Sequence, residues 1–157
     1  MKKKIDTYGE TLFNLINFRN RIYTESKRLI GIDYDSFMIL SCIGAHYLKN
    51  NTAQGLNWDA VWELTRSKKV EFHYNAKKLT IFAVANILNL PKETVRRKIE
   101  GLKKKKFISH SSRDGLVPTD KVEEAIKPFA EKELFLLSNF LKALKKHKSL
   151  DQLINLK

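Results

Sequence analysis

Apolar residues recur along most of the chain at three- and four-residue intervals, the period of a helix that buries one face. Over residues 8–30 these positions are Leu12, Leu15, Ile16, Ile22, Tyr23, Leu29 and Ile30, and Gly31 punctuates the run. Residues 33–49 (DYDSFMILSCIGAHYLK) predict a second, more apolar helix with an acidic and hydroxyl start signal. NNTAQG interrupts the pattern as a loop. Residues 57–68 (NWDAVWELTRSK) predict a short amphipathic helix capped by Asn57, with Trp58, Val61 and Trp62 inward. The segment KVEFHYNAKK fits neither the helical nor the strand period clearly.

From Lys78 onward the pattern sharpens. Thr80 is placed to cap a short helix, IFAVANILN, which Asn89, Leu90 and Pro91 end. A second helix spans 92–106. FISHSSRDGLVPT then alternates around Asp114-Gly115, which predicts a two-residue hairpin turn. From Asp120 the pattern is helical again, with Pro128 marking a start or a kink. There Ala130, Leu134, Leu137, Leu141 and Leu144 alternate four- and three-residue steps, a short heptad stripe. No internal repeat or low-complexity linker is visible. The expected architecture is mainly α: an N-terminal helical region (1–76), a core (77–119) and a C-terminal helical region (120–157), forming one compact unit.

The spacing within the core is informative. Ala85 is small where two helices must cross closely. Asn89, four residues on, falls in the turn, where a left-handed backbone suits Gly best and Asn next. Val95, six further, faces back into the angle between the helices, with Val84, Leu88 and Leu90 completing the inner face. Pro91 supplies a φ suited to the first helical position. A short helix, a tight turn, a longer helix and then a hairpin is the order of a winged helix-turn-helix.

Charge sharpens this picture. The chain has 157 residues, 43% apolar, and a formal net charge of +13. That balance favours an anionic partner. Residues 92–106 carry Lys92, Arg96, Arg97, Lys98 and four consecutive lysines at 103–106 against only Glu93 and Glu100, so nearly half of the excess is focused there. With Val95 set at 0°, Ile99 and Leu102 fall within about 40° of it, whereas Glu93, Arg97 and Lys104 fall at about 160–200°. The buried stripe and the outward polar face are thus opposite. Arg can bond guanine O6 and N7 together, and Glu can accept from cytosine N4, so the outward face has the groups that base reading needs. The same residues also form i,i+4 pairs (Glu93–Arg97, Arg96–Glu100, Glu100–Lys104) that steady any exposed helix. Four lysines in a row go all round a helix and favour its C-terminal dipole, and Lys103 and Lys104 are the candidates for phosphate contact. Arg113, at the hairpin tip, is a candidate for backbone or minor-groove contact, with Ser109, His110, Ser111 and Ser112 weaker ones.

Residues 79–119 resemble bacterial winged-helix transcription regulators. LPKETVRR is most similar to the start of the recognition helix in the catabolite-activator family, whose basic–Glu–Thr–Val–x–Arg run it matches. The resemblance implies that Lys92, Glu93 and Arg97 read base edges and that Thr94 holds a phosphate. Arg96 joins the base-reading set from its flank of the helix. No Gly-rich, alternating β-roll precedes the motif, so that family's cyclic-nucleotide pocket is not carried over. The helices on both sides resemble the multiple-antibiotic-resistance regulator family, whose terminal helices build a dimer.

The rest of the chemistry is sparse. Cys42, the only cysteine, sits in FMILSCIG and reads as an inert buried thiol; no disulfide can form within the chain, which fits a reducing compartment. MKKKIDTYGE does not read as a signal peptide, and no apolar stretch approaches the ~18 residues of a membrane span. His46, His73 and His147 show no metal-ligand spacing, and no nucleophile motif or phosphate-cradling loop is visible, so neither metal, cofactor nor catalysis is expected. Trp58, Trp62, Phe72 and Tyr74 are either core or the lining of an effector pocket. The expectation is a cytoplasmic, nucleoid-associated homodimer that binds duplex DNA and regulates transcription. A replication initiator or mobile-element DNA-binding protein, and a winged helix used as a protein-interaction module, remain open alternatives.

Overall fold

The computed structural model describes residues 7–51 and 68–155. The chain is mainly helical with one two-stranded antiparallel sheet: α1 (Thr7–Ile30), α2 (Tyr34–Asn51), α3 (Lys68–Asn75), α4 (Ile81–Leu88), α5 (Lys92–Lys104), β1 (Ile108–Ser111), β2 (Gly115–Pro118), α6 (Asp120–Lys146) and α7 (Leu150–Ile154). The ambiguous segment KVEFHYNAKK is helical in its first part, as α3. The helix expected over 57–68, with its Asn57 cap and Trp58, Val61 and Trp62, lies almost wholly outside the described residues.

Two compact units emerge: Ile32–Glu124, and Met1–Gly31 together with Ala125–Lys157. The division falls at Gly31 and Glu124 rather than at residues 76 and 119. The reason is α2. Its Ile39, Leu40 and Ile43 are buried, and it packs against α4, α5 and β2. The second helix of the chain is therefore part of the core that holds the basic helix.

Within Ile32–Glu124 the capping follows the chemistry of the sequence. Asp33 caps α2, its carboxylate accepting from the Ser36 N–H (3.1 Å) and hydroxyl (3.0 Å). Thr80 caps α4 and accepts from the Ala83 N–H. Asn89 takes the left-handed conformation (φ 53°, ψ 42°) that ends α4, and the Ala85 carbonyl receives the Asn89 and Leu90 N–H groups. Val84 and Val95 are fully buried in the angle between α4 and α5, while Leu88 and Leu90 are half-buried at its edge. Pro91 sits one residue ahead of the first helical position, with an extended ψ of 134°, rather than within the helix.

The hairpin pairs Ile108 with Pro118, Ser109 with Val117, His110 with Leu116 and Ser111 with Gly115. Its connection differs from the expected two-residue Asp114-Gly115 turn. A type I′ turn needs positive φ at both central residues, and Asp114 does not have it. Instead Asp114 is held by Ser111, whose hydroxyl accepts from the Asp114 N–H at 2.9 Å. Ser112, Arg113 and Asp114 form the loop, and Gly115 (φ 72°) opens β2. The hairpin is also joined to the residues before α4. The Leu116 N–H donates to the Leu79 carbonyl (2.9 Å), and Lys78 Nζ donates to the Ser112 carbonyl (2.8 Å).

In the other unit, Phe18 of α1 stacks on Phe140 of α6 at 5.1 Å between ring centroids, and His147 Nδ1 lies 3.2 Å from a Glu10 carboxylate oxygen. Pro128 lies inside α6, so it marks no helix start; it lacks the N–H that would have bonded the Glu124 carbonyl. The heptad stripe divides. Leu144 is buried and Ala130 half-buried, while Leu134, Leu137 and Leu141 are exposed.

Gly115 has no room for a side chain. A Cβ there would stand 2.5 Å from the Leu79 carbonyl oxygen, on a backbone that already favours glycine. Gly115→Ala is expected to cost roughly 2 kcal/mol or more, combining left-handed strain with the steric clash. Urea denaturation of the two proteins measures this, and an unchanged midpoint would contradict it.

Candidate nucleic-acid interface

The basic helix is fixed by its inner stripe. Val95, Ile99 and Leu102 are at most 1% exposed. Burying three such side chains stabilises the docking by several kcal/mol. The phase read from the sequence is therefore the one adopted: Glu93, Arg97 and Lys104 are exposed opposite the stripe, Arg96 is exposed on its flank, and Lys92 is exposed at the helix start. Thr94 and Lys103 are half-buried. Pro91 offers no side-chain acceptor to the first-turn N–H groups of α5. An open cleft lined by Phe82, Asn86, Asn89 and Lys92 adjoins them.

A second contact sets the helix against α2. Lys98 Nζ lies 2.9 Å from Asp33 Oδ1. Burial acts to raise the Asp33 carboxyl, but hydrogen bonds from Lys98 and Ser36 outweigh it and hold it at about 2. Lys98, part of the basic run, is thus committed inward. Neither Lys98 nor Lys78, which ties down the hairpin loop, is identifiable from the sequence as a positioning residue. The acidic start of α2 gives a signal for Asp33 as a cap but none for its cation.

The ion pairs along α5 are at i,i+3 spacing, not the expected i,i+4. Arg96 grips Glu93 with both Nε and Nη2 (2.9 and 2.6 Å), and Lys103 Nζ bonds both Glu100 oxygens (3.0 and 3.2 Å). Either spacing brings helix side chains together. The Arg96 hydrogen bond lowers the Glu93 carboxyl below its usual range, and the Lys103 hydrogen bond does the same to Glu100. Of the expected base readers, Glu93 and Arg96 therefore hold each other. Lys92 and Arg97 have no side-chain hydrogen bond or ion pair among the described residues, and the same is true of Lys104, Lys105 and Lys106.

The end of α5 is shaped by the backbone. Lys106 is left-handed (φ 60°). Its N–H bonds the Lys103 carbonyl, and the Phe107 N–H reaches back to Leu102. This double closure normally uses glycine at the left-handed position, with an apolar contact between the flanking residues. Here Leu102 and Phe107 are the buried flanking pair. Thr119 bolts the same turn to the hairpin base, its hydroxyl 2.6 Å from the Lys106 carbonyl. The apolar residues five apart around four lysines are the sequence signal for this turn. Arg113 stands at the hairpin tip with its side chain 92% exposed, 3.7 Å from Asp114. Ser109, His110, Ser111 and Ser112 are exposed beside it.

Phe72 is 74% exposed. Tyr74 lies against His46 and hydrogen-bonds Cys42; burial, then the neighbouring Cys42, push its phenol above the usual range. Burial likewise raises the Cys42 thiol. Trp58 and Trp62 lie outside the described residues. Among the described residues no His, Cys, Asp or Glu cluster could hold a metal ion, and no helix is long and apolar enough to cross a membrane.

Two substitutions probe the positioning. Asp33→Asn keeps a cap for α2 but removes the charge facing Lys98. The folded carboxyl ionises more readily than the unfolded one, so its contribution is present above about pH 4 and is lost as pH falls towards 2. The stability gap between wild type and Asp33→Asn should be widest near neutrality and close on acidification; a pH-independent gap would refute the pairing. Lys106→Gly relieves the left-handed backbone at some entropic cost and should stabilise the fold by about 0.5–1 kcal/mol. A fall in the urea midpoint would show that the side chain itself holds the turn. Compared with protein-family models, curated proteins and solved structures, the chain matches none of them.

Proposed function

We propose that the chain is a winged helix-turn-helix protein that binds duplex DNA with sequence preference and regulates transcription, without a catalytic role. The carrying observation is the outward face of α5. It is anchored by Val95, Ile99 and Leu102, and it presents Arg97 and Lys104 without a hydrogen bond or ion pair among the described residues beside the paired Glu93 and Arg96, with Lys92 exposed at the helix start. The succession of α4, a tight turn, α5 and the hairpin, with α2 packed against them, supports this reading.

In this reading α5 enters the major groove. Lys92, Glu93, Arg96 and Arg97 read base edges. Thr94, Lys103, Lys104 and Arg113 hold backbone, with Arg113 reaching from the wing. Lys105 and Lys106 add to the same electrostatic attraction. Phosphate contacts supply affinity that falls with salt, while base contacts set preference. Exposed ion pairs are worth no more than about 1 kcal/mol. Breaking Glu93–Arg96 to reach a base is therefore compatible with the ~1–3 kcal/mol discrimination of one bidentate contact.

Two variants separate these roles. Arg97→Ala should relax base preference at one position, costing about 1–3 kcal/mol on the preferred duplex and little on others. Substituting Lys103 and Lys104 by Ala should weaken all duplexes alike and lower the salt slope by roughly one for each phosphate no longer neutralised. Selection of bound duplexes from a random pool, followed by salt titration, reads both. Sequence choice unchanged in Arg97→Ala would remove it from the base-reading set. Absence of any salt-dependent duplex binding by the intact chain would favour a protein-interaction module instead.

A further inference from the structure

The hairpin that follows the basic helix has no formal net charge of its own. From Phe107 to Thr119 it carries one cation, Arg113, and one anion, Asp114, adjacent at the tip. Their charged groups stand 3.7 Å apart. The Ser111 hydroxyl holds Asp114 in place, donating to its carboxylate (3.1 Å) and accepting from its N–H (2.9 Å). A phosphate approaching Arg113 therefore also approaches a carboxylate. Opposite charges this close offset much of each other's field at a third charge. Arg113 alone gives the tip little net attraction for a polyanion.

A further charge reaches the tip from outside the hairpin. Lys78, 34 residues before Ser112, belongs to the same compact unit. Its neighbour Leu79 lies beside β2 and accepts from the Leu116 N–H at 2.9 Å, as a residue of a third strand would. Gly115 permits the close approach: a Cβ there would stand 3.1 Å from the Lys78 Cβ. From this place the Lys78 side chain reaches the loop, where its ammonium donates to the Ser112 carbonyl at 2.8 Å. That acceptor is neutral, so the bond positions the charge without cancelling it. An ammonium has three donors, and this bond takes one. Lys78 is exposed, with no carboxylate partner among the described residues, and Lys77 is exposed next to it.

We infer that Lys78 is a phosphate-binding residue of the wing, its ammonium stationed at the Ser112 carbonyl with two donors left for the backbone of a bound duplex. This rests on the reading of the chain as a duplex-binding protein and adds the group that makes its wing cationic. With Lys78 the tip has Lys78 and Arg113 against Asp114, and the wing holds backbone through that pair rather than through Arg113 alone. Lysine suits the task, because it grips phosphate as a point charge and needs no fixed bidentate geometry. Such a contact adds affinity without reading sequence.

Salt titration of a fluorescent random-sequence duplex, followed by anisotropy with the intact chain, tests this. Lys78→Met keeps an apolar stem and removes the charge. It should weaken binding by roughly three- to tenfold and lower the salt slope by about one, as the loss of one phosphate contact does. Base preference in duplex selection should not change. The urea midpoint should also hold, because the Leu79–Leu116 bond remains. Lys78→Arg should restore the slope. In an Arg113→Ala background, Lys78→Met should lower the slope by about one again. A decrease confined to chains that keep Arg113 would make Lys78 a support of the loop only and overturn the direct contact. A slope indifferent to Lys78→Met, in a protein whose wild type binds duplex, would overturn the inference and leave the DNA-binding reading standing. No salt-dependent duplex binding by wild type would overturn both.

Discussion

The relation between the basic helix and the hairpin depends on one backbone turn, the left-handed Lys106. The residues on either side of it, Leu102 and Phe107, are buried and joined by a hydrogen bond across the turn. Thr119 closes the base of the hairpin onto this turn, its hydroxyl donating to the Lys106 and Phe107 carbonyls. The helix therefore cannot extend by another residue, and the strand that follows cannot start elsewhere, without exposing an apolar side chain. Glycine is the residue this geometry prefers, and a lysine stands there. The turn is stable because packing on both sides determines it, so the chain carries a positive charge at a position where the local backbone alone would favour none. Gly115 is the counterpart at the other end of the hairpin, where Leu79 leaves no room for a side chain.

The charge of the basic run is less uniform than its composition suggests. Lys98 faces Asp33 and helps seat the helix. Arg96 and Lys103 are engaged with neighbouring carboxylates. What remains outward and uncommitted is Lys92 and Arg97 at the N-terminal end and the lysines at 104–106 at the other. The engaged groups differ in kind. The Glu93–Arg96 pair is open to solvent and easily exchanged, since desolvation contributes little to it. Asp33 is different because its carboxylate also caps α2, so its ionisation, its helix start and the placement of α5 are coupled. A polyanion approaching this surface would meet groups whose orientation is set from behind by Val95, Ile99 and Asp33.

Much of this is legible in the sequence because it follows from spacing. Ala85, Asn89 and Val95 specify a close crossing, a left-handed turn and a buried anchor, and each residue does what its chemistry allows. The inner stripe of α5 and the Thr80 cap follow from period and from capping preference in the same way. What cannot be read depends on contacts distant in the chain. That α2 belongs with α4 and α5 depends on its whole-face burial, which periodicity does not assign to a partner. The Asp33–Lys98 pair spans two helices. The hairpin loop departs from expectation because Asp114-Gly115 is compatible with two turn types, and the Ser111 hydroxyl, not the dipeptide, selects between them. The expected i,i+4 pairs give way to i,i+3 pairs because both are available on a helix and rotamers decide.

The second unit shows where packing within one chain stops. A domain needs at least two layers around a shared core, and here the layers are two long helices and one short one. Two helices packed on each other bury one face each. Phe18, Phe129, Phe140 and Leu144 are used in this way. Apolar residues on a second face of a helix contribute none of the roughly 25 cal/mol per Å² that burial supplies. Leu134, Leu137 and Leu141 are such a face, and Tyr8, Leu12 and Ile16 on α1 are exposed as well. The heptad spacing, read alone, could not distinguish a helix packed within its own chain from one packed across a symmetry axis. Burial divides the stripe residue by residue: Leu144 is taken up inside the unit, whereas the three leucines before it are exposed.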